Sequence, residues 1–165
     1  MERQGILAVV SGFSGAGKGT LMKELLRQYV NHYYGTPKEY VMRQMAQGKD
    51  VILEIEIQGA LKVKKRFPEA LLLFVTPPSA EELCRRLVGR GTETIEVINA
   101  RLRRAAEEAS GMEAYDYLLI NDDIDRCVEE MHSLIQLQHR RTVYHLEFLN
   151  RMREELRHLD ARGQQ

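Results

Sequence analysis

Four short apolar runs punctuate the chain: ILAVV at 6–10, VILEIEI at 51–57, LLLFV at 71–75 and YLLI at 117–120. Most are continuous rather than alternating, the pattern of strands buried on both faces of a parallel sheet. Between and after them, apolar positions recur at three- and four-residue steps, the period of amphipathic helices. The pattern predicts helices over Thr20–Tyr29, over Pro37–Gln47 with Gly48 as its stop, over Gln58–Phe67 before Pro68, over Glu93–Ala109, and from Asp125 nearly to the end. In SAEE, Ser79 is placed to cap a further helix running through Leu87, with acids in its first turn. Strand and helix alternate, so the expected class is α/β, a parallel sheet with flanking helices, in one domain over residues 1–165. Ligands of such sheets sit at the carboxyl ends of the strands. Near the end of the chain, Val143, Leu146, Leu149, Met152, Leu156 and Leu159 fall on one helical stripe. That stripe predicts packing on the core, or alternatively a seam between the subunits of a homodimer.

Composition narrows the function without naming it. Lys plus Arg equals Asp plus Glu, at 24 each, so no global field draws nucleic acid or an anionic membrane. Any electrostatic role must come from local clustering. The two cysteines, Cys84 and Cys127, are each alone in their segments, which fits a reducing cytoplasm rather than a disulfide framework or a zinc site. The opening MERQGILAVV has too short an apolar stretch for a signal peptide, and no run approaches transmembrane length.

The clearest chemistry lies in SGFSGAGKGT, residues 11–20. Gly12, four residues, Gly17 and Lys18 open a phosphate-binding P-loop, but Gly19 stands where Ser or Thr is usual, and the hydroxyl arrives at Thr20. A buried-type strand ends just before this loop and a helix begins just after it. The loop amides and the helix N-terminus therefore converge on one anion. Glycines let the backbone fold close to phosphate oxygens, and Lys18 brings a mobile cation. With no hydroxyl at Gly19, the loop offers no direct side-chain ligand to Mg²⁺, which would be held by phosphate oxygens and water. The Gly-Lys-Gly-Thr ending resembles that of adenylate kinases and other nucleoside monophosphate kinases more than that of a GTPase.

Three further clusters bear on a phosphoryl site. Residues 85–104 hold Arg85, Arg86, Arg90, Arg101, Arg103 and Arg104, with Gly89 and Gly91 around Arg90 as a hinge. Such a segment suits an arginine-rich lid over a transferring phosphoryl group, where positioned positive charge does most of the catalysis. In VILEIEI a strand would put Glu54 and Glu56 on one face, about 7 Å apart, at the carboxyl end where ligands bind. Asn121 and Asp122 follow YLLI; an amide there is placed to read a base edge or to cap the next helix.

Taken together, SGFSGAGKGT, HYYGT, EIEIQGA, PPS, RRLVGRGTET followed by INARL, and YDYLLINDD resemble the guanylate kinase family in content and order, over nearly the whole chain. The resemblance implies a P-loop nucleoside-monophosphate-kinase core that transfers the γ-phosphoryl group of ATP to GMP with Mg²⁺. It assigns the ATP phosphates to Ser14, Gly15, Ala16, Gly17, Lys18, Gly19 and Thr20, and the adenine side to Asn121. Lys18 and the lid residues Arg86, Arg90 and Arg101 would be catalytic. Tyr34, Thr36, Glu54 and Glu56 would face GMP; the family more often has Asp at the last two positions. It also implies a strand and a small, mostly β, GMP-gripping segment of about forty residues between Tyr29 and Val30, for which this sequence has no counterpart. The alternative expectation is an ATP-binding module of the same fold with GMP capture impaired.

Overall fold

β1 (Leu7–Gly12) is the middle strand of a five-stranded, all-parallel sheet in the order β2-β3-β1-β4-β5, where β2 is His32–Tyr34, β3 Asp50–Glu54, β4 Leu71–Thr76 and β5 Tyr117–Ile120. The computed structural model describes residues 4–29, 32–34, 38–89, 91 and 93–163, with backbone alone for 32–34 and 161–163. The helices are α1 (Lys18–Gln28), α2 (Lys38–Ala46), α3 (Ile57–Arg66), α4 (Ala80–Val88), α5 (Ile95–Ala109), α6 (Ile124–Gln138) and α7 (Leu146–Gly163).

Successive strand residues point to opposite faces, so each strand feeds two cores. From β1 and the residue before it, Ile6, Ala8 and Val10 join Leu21 and Leu25 of α1 and Val128, Met131 and Ile135 of α6 in one buried cluster. Leu7 and Val9 join Val41 of α2, Ala60 of α3 and Leu72 of β4 in the other. Residues 6–10 and 71–75 are buried throughout, as their continuous apolar runs predict. Truncating a fully buried leucine here, such as Leu73, should cost about 2–5 kcal/mol.

At the amino end of β3 the sheet is tied by a buried carboxylate. Asp50 accepts hydrogen bonds from the Ile6 amide at 2.9 Å and from Gln136 Nε2 at 3.2 Å, and it meets His139 Nε2 at 2.8 Å. A buried charge is tolerable when several donors satisfy it.

The structure departs from the sequence expectation in four places. The sheet gains β2, a three-residue edge strand with no long apolar run to announce it. β3 stops at Glu54, and Ile55 and Glu56 lead directly into α3. β5 is an edge strand with Tyr117, Leu118 and Ile120 exposed, rather than buried on both faces. The last helix is two: α6 ends at Gln138, Arg141 is extended (φ −64°, ψ 138°), and α7 starts at Leu146. The stripe on α7 is largely exposed, so the expectation that it packs on the core is wrong.

Candidate active site

The loop between β1 and α1 is shaped by two positions that exclude a side chain. A Cβ on Gly12 would lie 2.2 Å from the Val75 carbonyl oxygen of the neighbouring strand. Gly17, at the N-cap of α1, sits in the left-handed region (φ 87°), and a Cβ there would meet Asn121 Nδ2 at 2.5 Å. Only glycine fits such a backbone without strain. Asn121 is buried and donates its amide to the Ala16 carbonyl at 2.8 Å. It does not cap α6; Asp123 does, accepting from the Arg126 amide. Asn121 thus fastens the loop from behind.

The start of α1 differs from those of α4, α5 and α6; α3 also lacks a side-chain cap and a first-turn acid, but its N-cap residue is itself an acid, Glu56. α4, α5 and α6 have side-chain caps (Ser79, Thr94, Asp123) and acids in their first turns. α1 has a glycine N-cap, no side-chain cap and no acid in its first turn. A helix N-terminus concentrates partial positive charge, and this one carries no built-in anion. Lys18, its first residue, folds back to donate to the Gly12 and Phe13 carbonyls at 2.8 and 2.9 Å.

In front of the loop, at the carboxyl ends of β1 and β3, lies a cavity of about 450 Å³. Its charged lining is Lys18, Arg101 and Arg104 against Glu54, Glu56 and Glu108. Arg101 donates to Ser14 Oγ at 2.9 Å and pairs with Glu93. Arg104 donates to Glu56 Oε1 at 2.8 Å and Glu108 Oε1 at 2.9 Å, and these carboxylates, Glu56 foremost, push its pKa up further. Ser11 Oγ donates to the Ile55 carbonyl at 2.6 Å, fixing the turn that carries both glutamates. Among the described residues no group of His, Cys, Asp and Glu is arranged to hold a metal ion by itself.

The cavity therefore gathers Ser14, Lys18, Glu54, Glu56 and Arg101 among the residues expected from the sequence. Glu54 and Glu56 meet there by a different route, one at the end of β3 and one at the N-cap of α3. Arg86 stands elsewhere: its guanidinium binds Glu82 at 2.7 Å and the Asn121 carbonyl at 2.8 Å, bracing the outer side of the loop. The hydrogen bonds from Arg85 and then Arg86 hold the Glu82 carboxyl down to about 2. Arg90 and Thr36 lie outside the described residues, and of Tyr34 only the backbone, in β2, is described. Sequence reasoning counted Arg104 in the arginine cluster without giving it a role of its own, and it assigned no role to Glu108 or Ser11. The signal for Arg104 was present, because it follows Arg101 by three residues and shares its helix face.

The family model described as guanylate kinase matches residues 26–138, more than half of the chain. The guanylate kinase of Caldanaerobacter subterraneus subsp. tengcongensis is 37% identical over 202 aligned positions, which cover 94% of this chain and 98% of that one. Since 94% of 165 residues is about 155, about 47 of those positions are filled by the relative alone. The guanylate kinase of Halalkalibacterium halodurans is 50% identical over 119 residues, 71% of this chain and 58% of that one. Among solved structures, the guanylate kinase from Anaplasma phagocytophilum superposes with a TM-score of 0.69 at 22% identity, covering 86% of this chain and 89% of that one, and so supports the fold. The family model over more than half of the chain, and relatives of more than 30% identity aligned over nearly all of it, show that the chain belongs to the guanylate kinase family.

Proposed function

We propose that this chain transfers the γ-phosphoryl group of ATP to GMP, giving ADP and GDP, as a cytoplasmic enzyme of purine nucleotide metabolism. The observation that carries the reading is the loop itself: a backbone that only glycine allows, opening onto an uncapped helix start beside Lys18. The loop residues Ser14–Thr20 would cradle the ATP phosphates, with Lys18 moving from its carbonyl partners to phosphate oxygen. Asn121, whose amide is engaged by Ala16, serves the nucleotide by fixing the loop. Arg101 would meet charge developing on the transferred group; by resemblance Arg90 would join it, and Arg86 holds the Asn121 carbonyl behind the loop. No covalent intermediate is needed, because positioning and electrostatics suffice.

The lining suits a divalent cation. Three cationic and three anionic side chains balance, so bound nucleotides would leave the cavity strongly negative. Mg²⁺ bound with the nucleotides would offset that charge, and Glu54 and Glu56 are the residues that would help to hold it. By resemblance, Tyr34 and Thr36 face the GMP phosphate and guanine. We infer that the positions the longer relatives carry and this chain lacks fall between Tyr29 and Val30, beside β2 at the sheet edge.

An assay of ADP formation by the purified chain, with Mg-ATP and each nucleoside monophosphate in turn, tests the reading. Turnover with GMP well above that with AMP, UMP or CMP is expected. ATP binding without transfer to any of them would replace the proposal with that of an ATP-binding module.

A further inference from the structure

α7 presents an apolar face that the other described residues leave open. Leu146 is 54% exposed, Leu156 57% and Leu159 62%, with Phe148 and Met152 exposed beside them. A contiguous apolar stripe on a surface helix marks an interaction site. Leu149, Met152, Leu156 and Leu159 follow one another by three, four and three residues, the a and d seam of a short coiled coil. We propose that α7 is a dimerisation element that pairs, antiparallel, with α7 of a second copy of this chain.

Charge selects both the occupant and its direction. With Leu149 and Leu156 at a, and Met152 and Leu159 at d, Arg153 and Asp160 fall at e and Glu155 at g. In an antiparallel pair, e positions flank e positions, so Arg153 of one copy lies alongside Asp160 of the other, twice by symmetry. In a parallel pair, g positions reach the following e position, which sets Glu155 against Asp160, twice. Residues at e and g fix partner choice and orientation in such seams. Connectivity points the same way. The helix leaves the globular body at Leu146, and Leu146 to Leu159 spans about 20 Å along the axis. Antiparallel pairing therefore sets the two bodies at opposite ends of the seam rather than side by side.

Sedimentation velocity on the full chain, from low micromolar to several hundred micromolar, tests this, with near-ultraviolet circular dichroism reporting the fold of each variant. The expected results are a concentration-dependent dimer for the unaltered chain and a monomer with an unchanged near-ultraviolet spectrum for Leu156→Glu. Asp160→Arg should weaken the dimer about tenfold by setting Arg against Arg, and Arg153→Asp with Asp160→Arg should restore it. An unaltered chain that stays monomeric throughout, or a Leu156→Glu variant that still dimerises, overturns the proposal. Tightening by Asp160→Arg overturns the antiparallel arrangement, because that change would favour a parallel pair.

Discussion

Lys18 belongs to the ligand rather than to the fold. Its ammonium rests on two loop carbonyls at the rim of the cavity. Lys18→Ala should lower kcat by about 10²-fold or more while the unfolding midpoint stays within error; near-normal turnover would remove it from the mechanism. Asn121 makes the opposite case. Its buried amide holds Ala16, so Asn121→Ala should cost about 1–3 kcal/mol in urea unfolding and also raise KM for ATP. A loss of activity at unchanged stability would mean that it touches the nucleotide directly. The two residues also show what the sequence discloses. Lys18 is legible because its neighbours and its spacing form a local pattern. The bond from Asn121 to Ala16 joins residues 105 apart and is set by the packing of β5 beside the loop, which no local pattern encodes.

Among the elements, α4 shows how local signals decide a helix. Ser79 Oγ accepts from the Glu82 amide at 3.0 Å, as SAEE predicts, and Ser79→Ala should cost about 1 kcal/mol, measured by chemical denaturation. Glu82 itself serves two arginines. Its folded pKa of about 2 lies below the ordinary 4.5, so its contribution is fully present above pH 4.5 and is lost as pH falls through about 2. An NMR titration of the Glu82 carboxyl should place its midpoint near 2, and a midpoint near 4.5 would show that the pairing with Arg85 and Arg86 is absent in solution. The elements misread from sequence fail for identifiable reasons. VILEIEI looks like one strand because its apolar residues alternate, but Ser11 captures the Ile55 carbonyl and turns the chain into α3. The break before α7 carries neither proline nor glycine between His139 and His145, so the continuous periodicity hides it.

For the whole molecule, the sheet accounts for stability and α7 stands apart from it. Truncation after His145 should leave the unfolding free energy of the monomer within about 0.5 kcal/mol, because the helix leaves most of its apolar surface in water. A fall of several kcal/mol would mean that α7 packs on the body in solution. The parallel sheet and its alternation of strands and helices were legible in the four apolar runs, whereas the edge strand β2 was not, since three residues leave too little pattern to read. The same sheet has one end tied by Asp50 to Ile6, Gln136 and His139, and another end that opens onto the cavity. For protein engineering this separates two kinds of position. Thermostabilising substitutions can be sought around Asp50 without perturbing the nucleotide loop, and libraries for altered phosphate-acceptor choice can be confined to the cavity rim, at the opposite ends of strands that both tasks leave untouched.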